Sequence, residues 1–121
     1  MTINMLRAHA TLLLLVAIPG TTAFAAKEMR ALPQSQAECE AAGGAWTVLG
    51  LPFPGKPASC DLKAKDAGKS CSDSKECEGL CLAPAASKAG SRTTGLCSTY
   101  IRNFGNIHSI EAGTVQDWNI E

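Results

Sequence analysis

Apolar and polar positions fall into three regimes along the chain. An unbroken apolar run, Leu12 to Ile18, stands near the N-terminus and is stopped by Pro19 and Gly20. From Lys27 to Tyr100 small and polar residues dominate, broken by brief apolar pairs. The last segment, 102–121, is rich again in bulky residues: Phe104, Ile107, Ile110, Val115, Trp118 and Ile120. Local signals turn this pattern into elements. Ser35 is an N-cap and Glu38 stands three residues on, a capping box that opens a helix over 36–42 carrying Cys39. Gly43 and Gly44 stop it with a glycine for the left-handed position. Trp46 to Leu49 reads as a strand, the Pro- and Gly-rich 50–57 as a loop, and Ala58 to Leu62 as a return strand. Residues 63–70 are a polar connector. Ser72 and Asp73 cap a single helical turn through Cys77, ended by Gly79. Leu80 to Leu82 is a short strand and 84–94 a low-complexity, mobile loop. Gly95 to Ile101 is the richest stretch in β-formers.

Segment 102–121 reads as a final pair of strands, with turn signals at Gly105-Asn106 and Ala112-Gly113. Trp118 and Ile120 are expected to pack, because both are costly to leave in water. The fold class is therefore small and disulfide-rich: one short N-terminal helix, a few short antiparallel β-strands and long loops.

The first regime changes the picture most. Arg7 before the run, and Ala23 and Ala25 after it, complete a secretory signal, so 1–25 is expected to be removed between Ala25 and Ala26. The run is about 9 residues against about 20 for a membrane span. No cysteine follows it closely enough for lipidation, and no second run of spanning length exists. The expected organisation is a signal at 1–25, a loose arm at 26–34, and one disulfide-rich domain at 35–121 with subunits 35–62 and 68–121. The whole chain carries 11 Lys and Arg against 11 Asp and Glu. Such scattered, balanced charge offers no basic field for nucleic acid or anionic membrane.

All six cysteines lie between Cys39 and Cys97. In an exported chain with a thin apolar inventory, covalent closure replaces a large core. Spacing alone does not choose among the pairings. Order favours Cys39–Cys60 around the first unit. In the second it favours Cys71–Cys81 with Cys77–Cys97, the crossed pattern common in small knotted modules. A zinc site or a redox pair would want a Cys-x-x-Cys, which is absent.

Cys39-Glu-Ala-Ala-Gly43-Gly44-Ala-Trp46 with its later cysteine, and the block from Asp66 through Cys71, Cys77 and Cys81 to Pro84 with Gly95-Leu-Cys97, resemble a family of small exported cysteine-rich proteins of Gram-negative bacteria. The resemblance covers 39–97. It implies no catalytic residue. Relatives tend to carry two more cysteines near the C-terminus, at places held here by Asn106, after Phe104-Gly105, and by Asn119, after Trp118. Both halves of one bridge are then missing together, which implies a looser 102–121 here.

Candidate chemistry is sparse. His108 is the one histidine beyond the signal and stands in a polar turn. Asp73, Glu76 and Glu78 cluster beside Lys75 as a solvated face. No serine has a Gly-x-Ser-x-Gly context, and there is no phosphate loop. No catalytic residue, cofactor site or metal site is expected, and the protein is not expected to be an enzyme. The expectation is a non-catalytic binding or structural module, periplasmic or secreted, with an extracytoplasmic protein or envelope component as partner. The alternative is a knottin-like protease inhibitor or toxin-like protein. Against inhibition, Lys56 precedes Pro57 and Arg92 lies in the long loop between Cys81 and Cys97, whereas an inhibitor needs a loop held rigid before docking.

Overall fold

A computed structural model of the chain describes Lys27 and residues 30–121. The expected signal peptide and its cleavage site lie outside the described residues.

Helix α1 (Gln36–Ala41) starts where Ser35 Oγ accepts the Glu38 amide. It ends at Ala42, with Gly43 at φ +79°. The next residue, Gly44, brings the chain onto the first disulfide. A Cβ there would lie 2.8 Å from Cys60 Sγ and 2.9 Å from Cys39 Sγ. Strand β1 (Ala45–Thr47) then pairs antiparallel with β2 (Ser59–Asp61), Trp46 opposite Cys60. Cys39–Cys60 joins helix to hairpin, with Cα atoms 5.4 Å apart. Leu62 completes this small core, against which Leu32, Trp46 and Ile101 pack.

The second unit is a five-stranded sheet of order β3-β5-β4-β6-β7. Its strands are β3 (Ser70–Cys71), β4 (Cys81–Leu82), β5 (Gly95–Cys97), β6 (Gly105–Glu111) and β7 (Thr114–Ile120), all antiparallel. A 3-10 turn at Ser74–Glu76 sits on one face. Beneath it Cys71–Cys81 and Cys77–Cys97 lie in one cluster with Ile110 and Val115, both 0% exposed. Gly95 is required in this layer, because a Cβ there would collide with the Leu82 carbonyl and reach 3.0 Å from Ile110 Cδ1.

Several expected boundaries move, each for a local reason. The connector gives up Ser70 to β3, which pairs with Leu96. The strand expected at Gly95–Ile101 stops at Cys97. Ser98 Oγ instead donates to Tyr100 O at 2.8 Å and accepts the Leu80 amide at 3.0 Å, folding the chain back on itself. Gly105 and Asn106 open β6 rather than turn the chain. The turn falls at Ala112 and Gly113, both at positive φ (48° and 78°), which is the requirement of a two-residue type I′ hairpin.

Two segments expected to be loose are tied down. In the N-terminal arm, Arg30 pairs with Glu78 at 2.9 Å and donates to Lys63 O at 2.8 Å. Lys27 Nζ donates to Gly79 O at 2.8 Å. The expected mobile loop 84–94 is laced to β7: Gly90 N donates to Val115 O at 2.8 Å, Val115 N to Ser91 O at 2.9 Å, and Arg92 bridges Thr114. No helix among the described residues is long and apolar enough to cross a membrane.

Candidate interaction surface

Alternation along the strands assigns the two faces of the five-stranded sheet. Cys71, Gly95, Cys97, Cys81, Ile110 and Val115 point into the disulfide layer. Their neighbours must point the other way. Register aligns those neighbours into a cross-strand row: Ser70 opposite Leu96, Leu96 opposite Leu82, Leu82 opposite Ser109, and Ser109 opposite Gln116. Ile107 and Trp118 flank the row as a further pair. No element among the described residues is layered over this face.

Between its polar ends, Ser70 and Gln116, the row exposes an apolar side chain. Leu96 is 56% exposed and Trp118 52%. A depression of about 450 Å³ at Leu96 is lined also by Leu82, Ala83 and Pro84. The indole of Trp118 is held in place by its Nε1–H, which donates to the fully buried Ser109 Oγ at 2.9 Å. That bond draws the ring across β6, where it helps keep Ile107 and Ser109 from water. A second apolar patch stands on the loop 50–57. Leu51 and Phe53 are both exposed, and Lys56 braces the loop by donating to Leu51 O at 2.7 Å and lying 5.3 Å over the Phe53 ring. A depression of about 430 Å³ joins this loop to Phe104, Asn106 and Asn119 at the open end of the β6–β7 hairpin.

The residues singled out for chemistry serve the fold. Asp73 caps the 3-10 turn through Lys75 N at 2.9 Å and accepts from Ala112 N at 3.0 Å, so it clamps the hairpin turn as well. Glu76 accepts from Ser72 N at 2.6 Å and from Asp73 N at 3.3 Å, and Glu78 from Lys65 N at 2.7 Å. The solvated face expected of this trio is thus a set of caps. The backbone bond from Lys75 holds the Asp73 carboxyl below its ordinary value, and that from Ser72 does the same for Glu76. Asp61 moves the other way, raised by burial and only partly offset by Arg102. His108 is not in a turn. It lies on β6 opposite Asp117, its Nδ1 2.5 Å from Oδ1. This dyad is half open to solvent and has no nucleophile bonded to it among the described residues. The sulfurs of Cys71, Cys77 and Cys97 lie within 4.8 Å of one another, but each is spent in a disulfide and offers no thiolate to a metal.

What the sequence did not reveal is the row itself. Leu82 and Leu96 are far apart in the chain, and only the order β5-β4-β6 sets them beside Ser109 and Trp118. No protein-family model, curated protein or solved structure matches this chain.

Proposed function

We propose that the protein is an exported, non-catalytic binding module, carried out of the cytoplasm by the signal at 1–25 into the periplasm or beyond. Its partner is an extracytoplasmic protein or envelope component that lays an apolar surface on the outer sheet face. One observation carries this reading: on the face that carries Leu96 and Leu82, with Trp118 beside them, Leu96 and Trp118 are open to solvent, and the other face is backed by two disulfides. A backbone so fixed loses little entropy on docking, and tryptophan is over-represented among residues that dominate binding energy. Three disulfides are typical of proteins outside the reducing cytoplasm.

The test is a photo-cross-linking residue placed at Leu96 in cells that export the protein, with Lys65 as the control position. A discrete adduct through position 96, absent at position 65 and removed by Leu82→Lys in a chain with intact disulfides, supports the reading. Equal labelling at both positions, or none, overturns it. Intact mass of the exported protein checks the route: a chain starting at Ala26, with no alkylatable thiol before reduction.

The lacing of 90–93 to β7 favours a second reading. It holds the exposed Arg92 on a braced segment, as a substrate-like inhibitor of a trypsin-type protease requires. In that case the chain survives incubation with trypsin uncut at Arg92 while slowing the enzyme. Rapid cleavage there removes the inhibitor reading.

A further inference from the structure

The outer edge of β7 is closed over one half and open over the other. Val115 turns its N–H and C=O away from β6, and residues 90–91 take both. Backbone groups alternate sides along a strand. Asp117 and Asn119 therefore also turn theirs outward, and among the described residues no strand or loop receives them. The devices that usually guard such an edge are charge, lysine above all, proline or a bulge. Over 116–120 there is no lysine, proline or bulge, β6 and β7 pair residue for residue, and the one charge is Asp117.

We propose that this open stretch pairs antiparallel with the same stretch of a second copy of the chain, about a two-fold axis at Trp118, joining the two sheets edge to edge. An antiparallel edge is complementary to itself under a two-fold axis, and charge chooses where the axis falls. With the axis at Asp117, two Asp117 carboxylates stand opposite each other. With the axis at Asn119, Asp117 stands opposite Glu121, and does so twice. An axis nearer the turn needs the edge of Val115, which residues 90–91 already occupy. The axis at Trp118 sets Asp117 against Asn119 of the second copy on both sides. Each such pair exchanges both of its backbone hydrogen bonds, and the side-chain amide donates to the carboxylate. Asp117 is ready for this: Oδ1 is held by His108, which leaves Oδ2 to accept. At the axis Trp118 stands opposite its own copy, its indole staying over β6 on Ser109 Oγ and clear of the outer edge. The pairing uses the strand edge and holds whether or not the outer face binds anything.

Sedimentation velocity of the mature, oxidised protein over a concentration series tests it. The expected result is a monomer–dimer equilibrium that Asn119→Asp weakens by about tenfold or more, since it sets like charges opposite each other. Asn119→Pro, which removes an outward amide and no bond to β6, has the same effect. The double variant Asp117→Asn/Asn119→Asp restores the dimer by exchanging the two members of the pair. Melting curves of the non-reduced variants confirm that each is folded. A wild-type chain that stays monomeric to about 1 mM overturns the proposal, as does a dimer indifferent to both Asn119 variants. A double variant that stays folded and monomeric rejects the Trp118 axis. A monomer whose β7 edge binds an unrelated extended peptide assigns the edge to another occupant.

Discussion

Asp73 and Glu76 show how much of this fold rests on single side chains. Each carboxylate accepts two backbone amides, and both are held below their ordinary pKa by those bonds. A carboxyl lowered by folding stabilises the native state fully above its unfolded pKa. It gives up that contribution as pH falls through the ordinary carboxylate range, about pH 4, towards the folded value. Asp61, raised by burial, acts with the opposite sign and recovers part of the loss. Thermal melts from pH 7 to pH 3 should fall at the acid end, and less so for Glu76→Gln. A flat wild-type profile contradicts the capping role. Asp73→Ala should cost about 2 kcal/mol, the upper range for a lost N-cap, because the hairpin turn loses its clamp with the cap. Gly95 makes the steric counterpart: Gly95→Ala drives a methyl into the Leu82 carbonyl and should cost about 3 kcal/mol in a urea titration. The Ser35–Glu38 cap was legible in the sequence because it is local. The clamp from Asp73 to Ala112 was not, since it joins residues far apart in the chain.

Among elements, the β6–β7 hairpin matters most. The sequence marked it by bulky residues and by Ala112-Gly113, but not which residues are buried. The expectation rested on Trp118 and Ile120. The core takes Ile110 and Val115 instead, because the turn at 112–113 fixes a register that aims those two at the disulfides. Removing 102–121 therefore strips the disulfide layer of its apolar partners. The truncated chain should aggregate or mispair its cysteines, and one with unchanged disulfides and melting temperature refutes the packing described above. The turn itself is improvable. Ala112 holds φ +48°, which costs a non-glycine residue about 1 kcal/mol, so Ala112→Gly should raise the melting temperature. Asn106 and Asn119 stand directly opposite each other on β6 and β7. Cysteines at both positions should close a fourth bridge and add about 2–3 kcal/mol, read as a higher melting temperature that reductant abolishes.

At the scale of the whole molecule, two small cores share the chain. One is the Cys39–Cys60 layer with Leu62, the other the paired disulfides with Ile110 and Val115. The composition made two cysteine-bearing units legible. The contacts between them were not, because they arise from the loose-looking parts. Ile101 N donates to Leu62 O at 3.0 Å, Ala64 N to Thr99 O at 2.9 Å, and Arg102 reaches the Cys60 carbonyl. The bridges interleave in a way that has a topological consequence. Cys39–Cys60 closes one ring, and Cys71–Cys81 with Cys77–Cys97 closes two that overlap. A backbone cut anywhere inside either region leaves the pieces covalently linked. Between them, residues 61–70 belong to no ring, and Lys63, Lys65 and Lys69 stand exposed there. On a non-reducing denaturing gel a lysine-specific protease should therefore part the two cysteine-bearing halves at that seam, while nicks within the rings leave no trace until the disulfides are reduced.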